Sequence, residues 1–142
     1  MKWEGISTQV IPIPANIHDT RSIPEVYLLI FEEFFESIRI HNHLFIDTAY
    51  SLLGFMEVED ILHAVLSQPA VNSTRGAVRS QVQTYMAKFG FHHVGNDHYE
   101  SESLLIQDLH DENVLVGYDG RLYFIDTCIY VKAGESFPIG LE

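Results

Sequence analysis

The amino-acid sequence predicts an α+β domain with two main helices and several short antiparallel strands. Three features predict it: an apolar stripe at helical spacing after Pro24, a second one ahead of Gly90, and a series of strand-length apolar runs separated by turn residues. At 142 residues the chain fits one domain, and no repeat, low-complexity run or Gly/Ser linker divides it. Residues 1–22 read as an irregular N-terminal segment and residues 23–130 as the core.

Residues 7–14 (Ser-Thr-Gln-Val-Ile-Pro-Ile-Pro) make a short extended stretch, which Pro12 and Pro14 confine to a sheet edge or exclude from a sheet. Ser22, Pro24 and Glu25 read as a capped helix start, with the helix running to about His41. Val26, Ile30, Phe34 and Ile38 fall on one face of it, widened by Phe31 and Phe35. Residues 49–56 and 62–66 are expected strands joined across Glu57-Val58-Glu59-Asp60, and Pro69 stops the second. A helix over 74–89 sets Val78, Val82, Tyr85, Met86 and Phe89 on one face, with Gly90 as its C-cap. Short strands follow near 91–94, 99–100 and 103–106. Residues 114–116 and 122–125 then flank Tyr118-Asp119-Gly120, a hairpin turn. The last dozen residues read as irregular.

The net charge is −12, with 3 cations against 10 acids in residues 1–71 and 5 against 10 in residues 72–142. The acidity is spread out and leaves no cationic patch, so a nucleic-acid partner is not expected. The longest apolar stretch, 26–35, is interrupted by Glu32 and Glu33 and is too short to span a bilayer. The N-terminus carries no secretory pattern. Cys128 is the single cysteine, which excludes an intrachain disulfide and a thiolate zinc site; it reads as a buried small residue. A cytoplasmic chain with no membrane partner is the expectation. His41, Asn42 and His43, and likewise His92, His93 and His98, show no metal-ligand spacing and read as structural or exposed.

The chemistry-bearing residues lie between Asp108 and Asp126. Asp108 precedes Asn113 by five positions, Asn113 stands directly ahead of an apolar strand, and Asp126 closes the next one. Each residue alone is better explained by a solvated turn or a cap. Together, two strands, a turn and a second aspartate bring three oxygen-bearing side chains to one sheet edge. Phosphoryl transfer uses such a set: a carboxylate to orient the attacking hydroxyl, and oxygen ligands to hold magnesium against phosphates. Asp108 is then the candidate catalytic residue, and Asn113 and Asp126 the candidate metal ligands. Protein kinases carry this layout.

The resemblance extends upstream. His41-Asn42, Leu53-Gly54-Phe55, Ala64-Val65-Leu66-Ser67-Gln68-Pro69, Phe89-Gly90-Phe91, Asp108-Leu109-His110 with Asn113-Val114-Leu115, and Phe124-Ile125-Asp126 occur in this order. The series resembles the kinase-like domains of polyvalent proteins, large polyproteins of bacterial mobile elements, over residues 27–130. The resemblance implies a partial protein kinase-like fold, truncated before the first helix of the small lobe. It implies that residues 27–41 are the regulatory helix of that lobe. It also implies that residues 64–69 form a hinge, where backbone groups of Ser67 and Gln68 meet the adenine of ATP or ADP with Mg2+ beside it. The plainer reading of the hinge residues is a buried strand ending at proline.

The chain departs from the kinase pattern in ways that bear on activity. Gly5 is the only glycine before Gly54, so no Gly-rich phosphate loop precedes the helix. Lys2 and Arg21 are the only cations ahead of it, which leaves Glu32, Glu33 or Glu36 without the usual lysine partner. Thr127, not Phe-Gly, follows Asp126, and Ile106-Gln107 stands where His-Arg is usual. Losing one preorganised phosphate clamp costs about 10²–10³ in rate. The expectation is a degenerate kinase-like domain that binds magnesium nucleotide with weak or no phosphotransferase activity. The alternatives are a non-catalytic interaction module, binding a second copy or a protein partner through an exposed apolar face, and an enzyme completed by another chain.

Overall fold

The computed structural model describes residues 6–12 and 24–135, with side chains for residues 8–12 and 33–135. The expected Ser22 cap, Lys2, Arg21 and the stretch 136–142 lie outside that description, as do the side chains of the stripe positions Val26, Ile30 and Phe31 and of Glu32.

Strand β1 (Ile6–Pro12) is followed by helix α1 (Pro24–Leu44). The N-terminal segment expected to be irregular therefore contains a strand, held at a sheet edge as its proline requires, with Pro12 in register with His63. Proline suits the first helical position of α1, where its missing N–H costs nothing. The helix runs three residues past His41, and a 3₁₀ turn (Ile46–Thr48) follows.

Strands β2 (Ser51–Val58) and β3 (Ile61–Pro69) complete a three-stranded antiparallel sheet in the order β1-β3-β2. The acidic break expected to span four residues narrows to two: Glu59 and Asp60 both take positive φ (53° and 66°). That is the two-residue hairpin turn whose twist matches its strands. Pro69 ends β3 as expected.

The largest correction concerns the second helix. Residues expected to open it form strand β4 (Ser73–Gly76), and α2 spans only Arg79–Ala87. The reason is a long-range pairing, in which Arg75 and Gly76 lie in register with Val116 and Leu115. Gln81 caps α2 by accepting the Val78 backbone N–H at 3.0 Å. The expected stripe is half right. Val82 and Met86 are buried, while Val78 and Phe89 at the two ends are about half exposed.

Beyond α2 come β5 (His92–Gly95), β6 (His98–Glu100), β7 (Leu104–Gln107), β8 (Val114–Gly117), β9 (Leu122–Phe124) and β10 (Cys128–Val131). They form one sheet in the order β10-β7-β6-β5 and another in the order β4-β8-β9. All are antiparallel, which agrees with the α+β expectation.

Two apolar cores result. The larger gathers Val82 and Met86 of α2 with Leu104, Ile106, Val114, Phe124 and other strand residues. The smaller sets Phe34, Phe35 and Ile38 of α1 against Ala64 and Leu66 of β3. Helix α1 joins them, since its Ile40 belongs to the larger core. His41 is the next residue.

Candidate functional site

The loop after β7 is built by its backbone. The buried Leu109 anchors it in the larger core, and the N–H groups of Asn113 and Val114 both donate to the His110 carbonyl (2.9 and 3.0 Å). Asn113 Nδ2 donates to the Asp108 carbonyl at 3.0 Å, bridging the five-residue spacing. Its Oδ1 accepts no hydrogen bond among the described residues. The ring of His110 lies 3.3 Å from the same amide nitrogen, and its Nδ1 accepts the Glu112 N–H at 3.2 Å. A neutral imidazole cannot accept at both nitrogens, so His110 shapes the loop through one bond.

Two strand pairs run out at this loop. Gln107 is in register with Cys128, so Asp108 stands next to residues 126 and 127. Val114 is in register with Phe124, and beyond it the Ile125 N–H donates to the Asn113 carbonyl at 2.9 Å. The two pairings bring Asp108, Asn113 and Asp126 to the same end of the sheets. Both aspartates are exposed and both hold positive φ, 66° at Asp108 and 51° at Asp126. Aspartate tolerates that conformation better than most residues, and such backbone gathers at functional turns.

The segment around Asp126 is tied down from behind by buried polar groups. Thr48 Oγ1 donates to the Phe124 carbonyl at 2.5 Å. His41 Nε2 lies 3.0 Å from the Thr48 carbonyl and its Nδ1 lies 2.6 Å from Thr127 Oγ1. A carbonyl only accepts, so Nε2 carries the proton and Nδ1 accepts from the Thr127 hydroxyl. Burial is the main reason the imidazole pKa falls to about 4, partly opposed by the Thr48 bond. Asn42 clamps Tyr50 by donating to its carbonyl (3.0 Å) and accepting its N–H (2.7 Å). The Tyr50 phenol is pushed up to about 12 by burial, then by the Asp126 carboxylate. Bonds from the Asp126 backbone and the Gln68 side chain oppose that rise.

Other expected site residues lie on β3. Ser67 is flanked by strands on both sides, in register with Thr8 and Ser51. Gln68 is in register with Ser7 of β1, while β2 begins one position earlier and leaves the other side of Gln68 unpaired. The Gln68 side chain is buried, donating to the Thr48 carbonyl at 2.8 Å and accepting from Gln9 at 3.0 Å. Cys128 is half-buried, not fully buried as expected, and its Sγ lies 3.1 Å from Tyr130 Oη. The Cys128 sulfur, which favours the protonated phenol by accepting its hydrogen bond and by its charge when ionised, leads the causes that push Tyr130 up to about 12, followed by burial and the Asp108 and Glu33 carboxylates. Glu33 and Glu36 form no ion pair among the described residues.

Sequence reasoning missed Thr48, Tyr50, Gly76 and the side-chain role of Gln68. Gly76 has a signal only in hindsight of β4: a Cβ there would stand 2.1 Å from the Asp111 carbonyl oxygen, inside the loop.

Two carboxylates and an amide oxygen suit magnesium, which takes oxygen ligands and keeps several waters. Among the described residues no three His, Cys, Asp or Glu side chains gather into a metal cluster, so phosphate and water oxygens would have to complete the shell. A groove of about 500 Å³ lies elsewhere, between Gln81, Thr84 and Tyr85 of α2, Lys88 just past its end, and Arg121 and Leu122 of the β8–β9 hairpin. It opens at the far end of that hairpin from Asn113. Among the described residues no helix is long and apolar enough to cross a membrane.

The fold and the loop define an α+β domain whose two aspartates and one asparagine converge where two antiparallel strand pairs end. The sequence model of the family described as "Serine/Threonine/Tyrosine Kinase found in polyvalent proteins" matches residues 14–133, and the chain belongs to that family. No curated protein and no solved structure matches it.

Proposed function

We propose that this domain has a partial, degenerate kinase-like fold that binds a magnesium nucleotide and has weak or no phosphotransferase activity. The observation that carries the reading is the Asn113 amide bond to the Asp108 carbonyl. With the Ile125–Asn113 backbone bond, it fixes Asn113 and Asp108 beside Asp126. In this reading Asn113 Oδ1 and the Asp126 carboxylate hold Mg2+, Asp108 faces a phosphate acceptor, and the backbone near Ser67 and Gln68 meets adenine. The strand that leads to α1 supports low activity. β1 carries Gln9 and no cation, so it offers no clamp for the phosphates.

Calorimetric titration with ADP, with and without magnesium, tests the reading. Magnesium is expected to tighten ADP binding by about tenfold or more, and Asp126→Asn to remove that gain. An absence of heat at millimolar nucleotide would sink it. That result would leave the interaction module, which the exposed apolar side chains of β2 favour.

A further inference from the structure

Among the described residues only three polar side chains are buried outright: His41 (1% exposed), Thr48 (1%) and Gln68 (2%). The three are joined at Thr48. The Thr48 carbonyl accepts from both His41 Nε2 and Gln68 Nε2. From this node, bonds run outward in two directions. Toward the loop, Thr127 donates to His41 and Thr48 donates to Phe124, so both flanks of Asp126 are held. Toward the sheet, Gln68 accepts from Gln9, which links β3 to β1.

An apolar trio of similar volume would fill this space without desolvating amide, hydroxyl and imidazole. A polar network there is worth keeping only if every member is satisfied, and such a network links its members cooperatively. It lies between the two parts of the proposed nucleotide site: β3 at Gln68 on one side and the Asp126 segment on the other. Tyr50 packs on the same node, its ring centroid 4.8 Å from that of His41.

We infer that His41, Thr48 and Gln68 are positioning residues that couple base binding at β3 to magnesium binding at Asp126. The inference rests on the nucleotide reading given above. A base that docks on the Gln68 backbone restrains β3, and the shared Thr48 carbonyl passes the restraint to Thr127 and Phe124. Magnesium on Asp126 acts in the reverse direction, as linkage requires.

Adenosine is the probe that separates this coupling from direct contact, because it has no phosphate with which to touch the metal. Adenosine affinity is to be measured by calorimetry or NMR titration with and without magnesium, with pyrophosphate in both arms to supply the phosphate oxygens that complete the metal's shell. The wild-type protein is expected to bind adenosine about fivefold tighter with magnesium present. Thr127→Val, which keeps the shape and removes the hydroxyl, is expected to bring that ratio close to one. Thr127→Ser is expected to retain it. A loss that was only structural would weaken adenosine equally with and without the metal. Where ADP binds with magnesium but adenosine shows no metal dependence, or no binding of its own, the coupling is overturned and the nucleotide reading stands. Where magnesium ADP does not bind, both fall. The wild-type adenosine ratio decides the matter even if Thr127→Val fails to fold.

Discussion

The two ring nitrogens of His41 face partners of opposite kind, a carbonyl and a hydroxyl, and only the neutral imidazole satisfies both. Its pKa near 4 when folded lies below the ordinary value of 6.5. Between those values the unfolded chain binds more protons, so stability rises with pH there. The contribution is fully present above about 6.5 and is lost as pH falls toward 4. We expect about 2 kcal/mol of it to be lost between pH 7 and pH 5. Urea unfolding at both pH values checks this, compared with His41→Gln to cancel the many carboxylates. An equal pH loss in the variant would show that His41 is not the group responsible. From sequence, His41 reads as structural or exposed, and structural it is. Its role was illegible because its partner Thr127 lies 86 residues away. The meeting of Asp108, Asn113 and Asp126 at one end of the sheets was legible for the opposite reason: their spacing is local, and the strands that position them are adjacent in the chain.

The elements divide along the same line. The β2–β3 and β8–β9 hairpins were readable because apolar runs and turn residues are neighbours in sequence. The start of α2 was not, because β4 is defined by its pairing with β8, about 40 residues on. That pairing has a consequence for the loop. Gly76 leaves no room for a side chain, as its Cβ would meet the Asp111 carbonyl oxygen at 2.1 Å. Gly76→Ala is expected to push the loop off β4, costing about 1–3 kcal/mol of stability and weakening magnesium-dependent nucleotide binding. Gly120→Ala is the control. There a Cβ meets nothing within 4 Å, and the strain comes only from φ of +81° at the far end of the hairpin. It is expected to cost about 1 kcal/mol and leave nucleotide affinity unchanged. Thermal unfolding and titration of both variants compare the two, and a Gly76→Ala protein with native affinity would refute the loop argument.

At the scale of the whole molecule, charge and apolar surface oppose each other. The chain carries a net −12, yet β2 is an edge strand with Leu52, Leu53 and Met56 all more than 40% exposed. A bulge between Leu52 and Gly54 interrupts its pairing to β3, which is one device that blunts an edge. The strand has no lysine, and its one charge, Glu57, lies near the turn. An antiparallel meeting of two β2 edges centred on Gly54 and Phe55 would set Glu57 opposite Leu52 of the second copy, so the acids would not face each other. The obstacle to self-pairing is then long-range repulsion between two acidic molecules, which salt screens: the Debye length falls from about 30 Å at 0.01 M to about 3 Å at 1 M. We therefore expect a monomer at low salt and a growing dimer fraction as salt rises, read by light scattering behind a sizing column. Leu53→Asn, which changes no charge, is expected to keep the protein monomeric at both ends. A mass independent of salt would show that the bulge and Glu57 suffice to close the edge. A salt-induced dimer that survives Leu53→Asn would move the contact to another face.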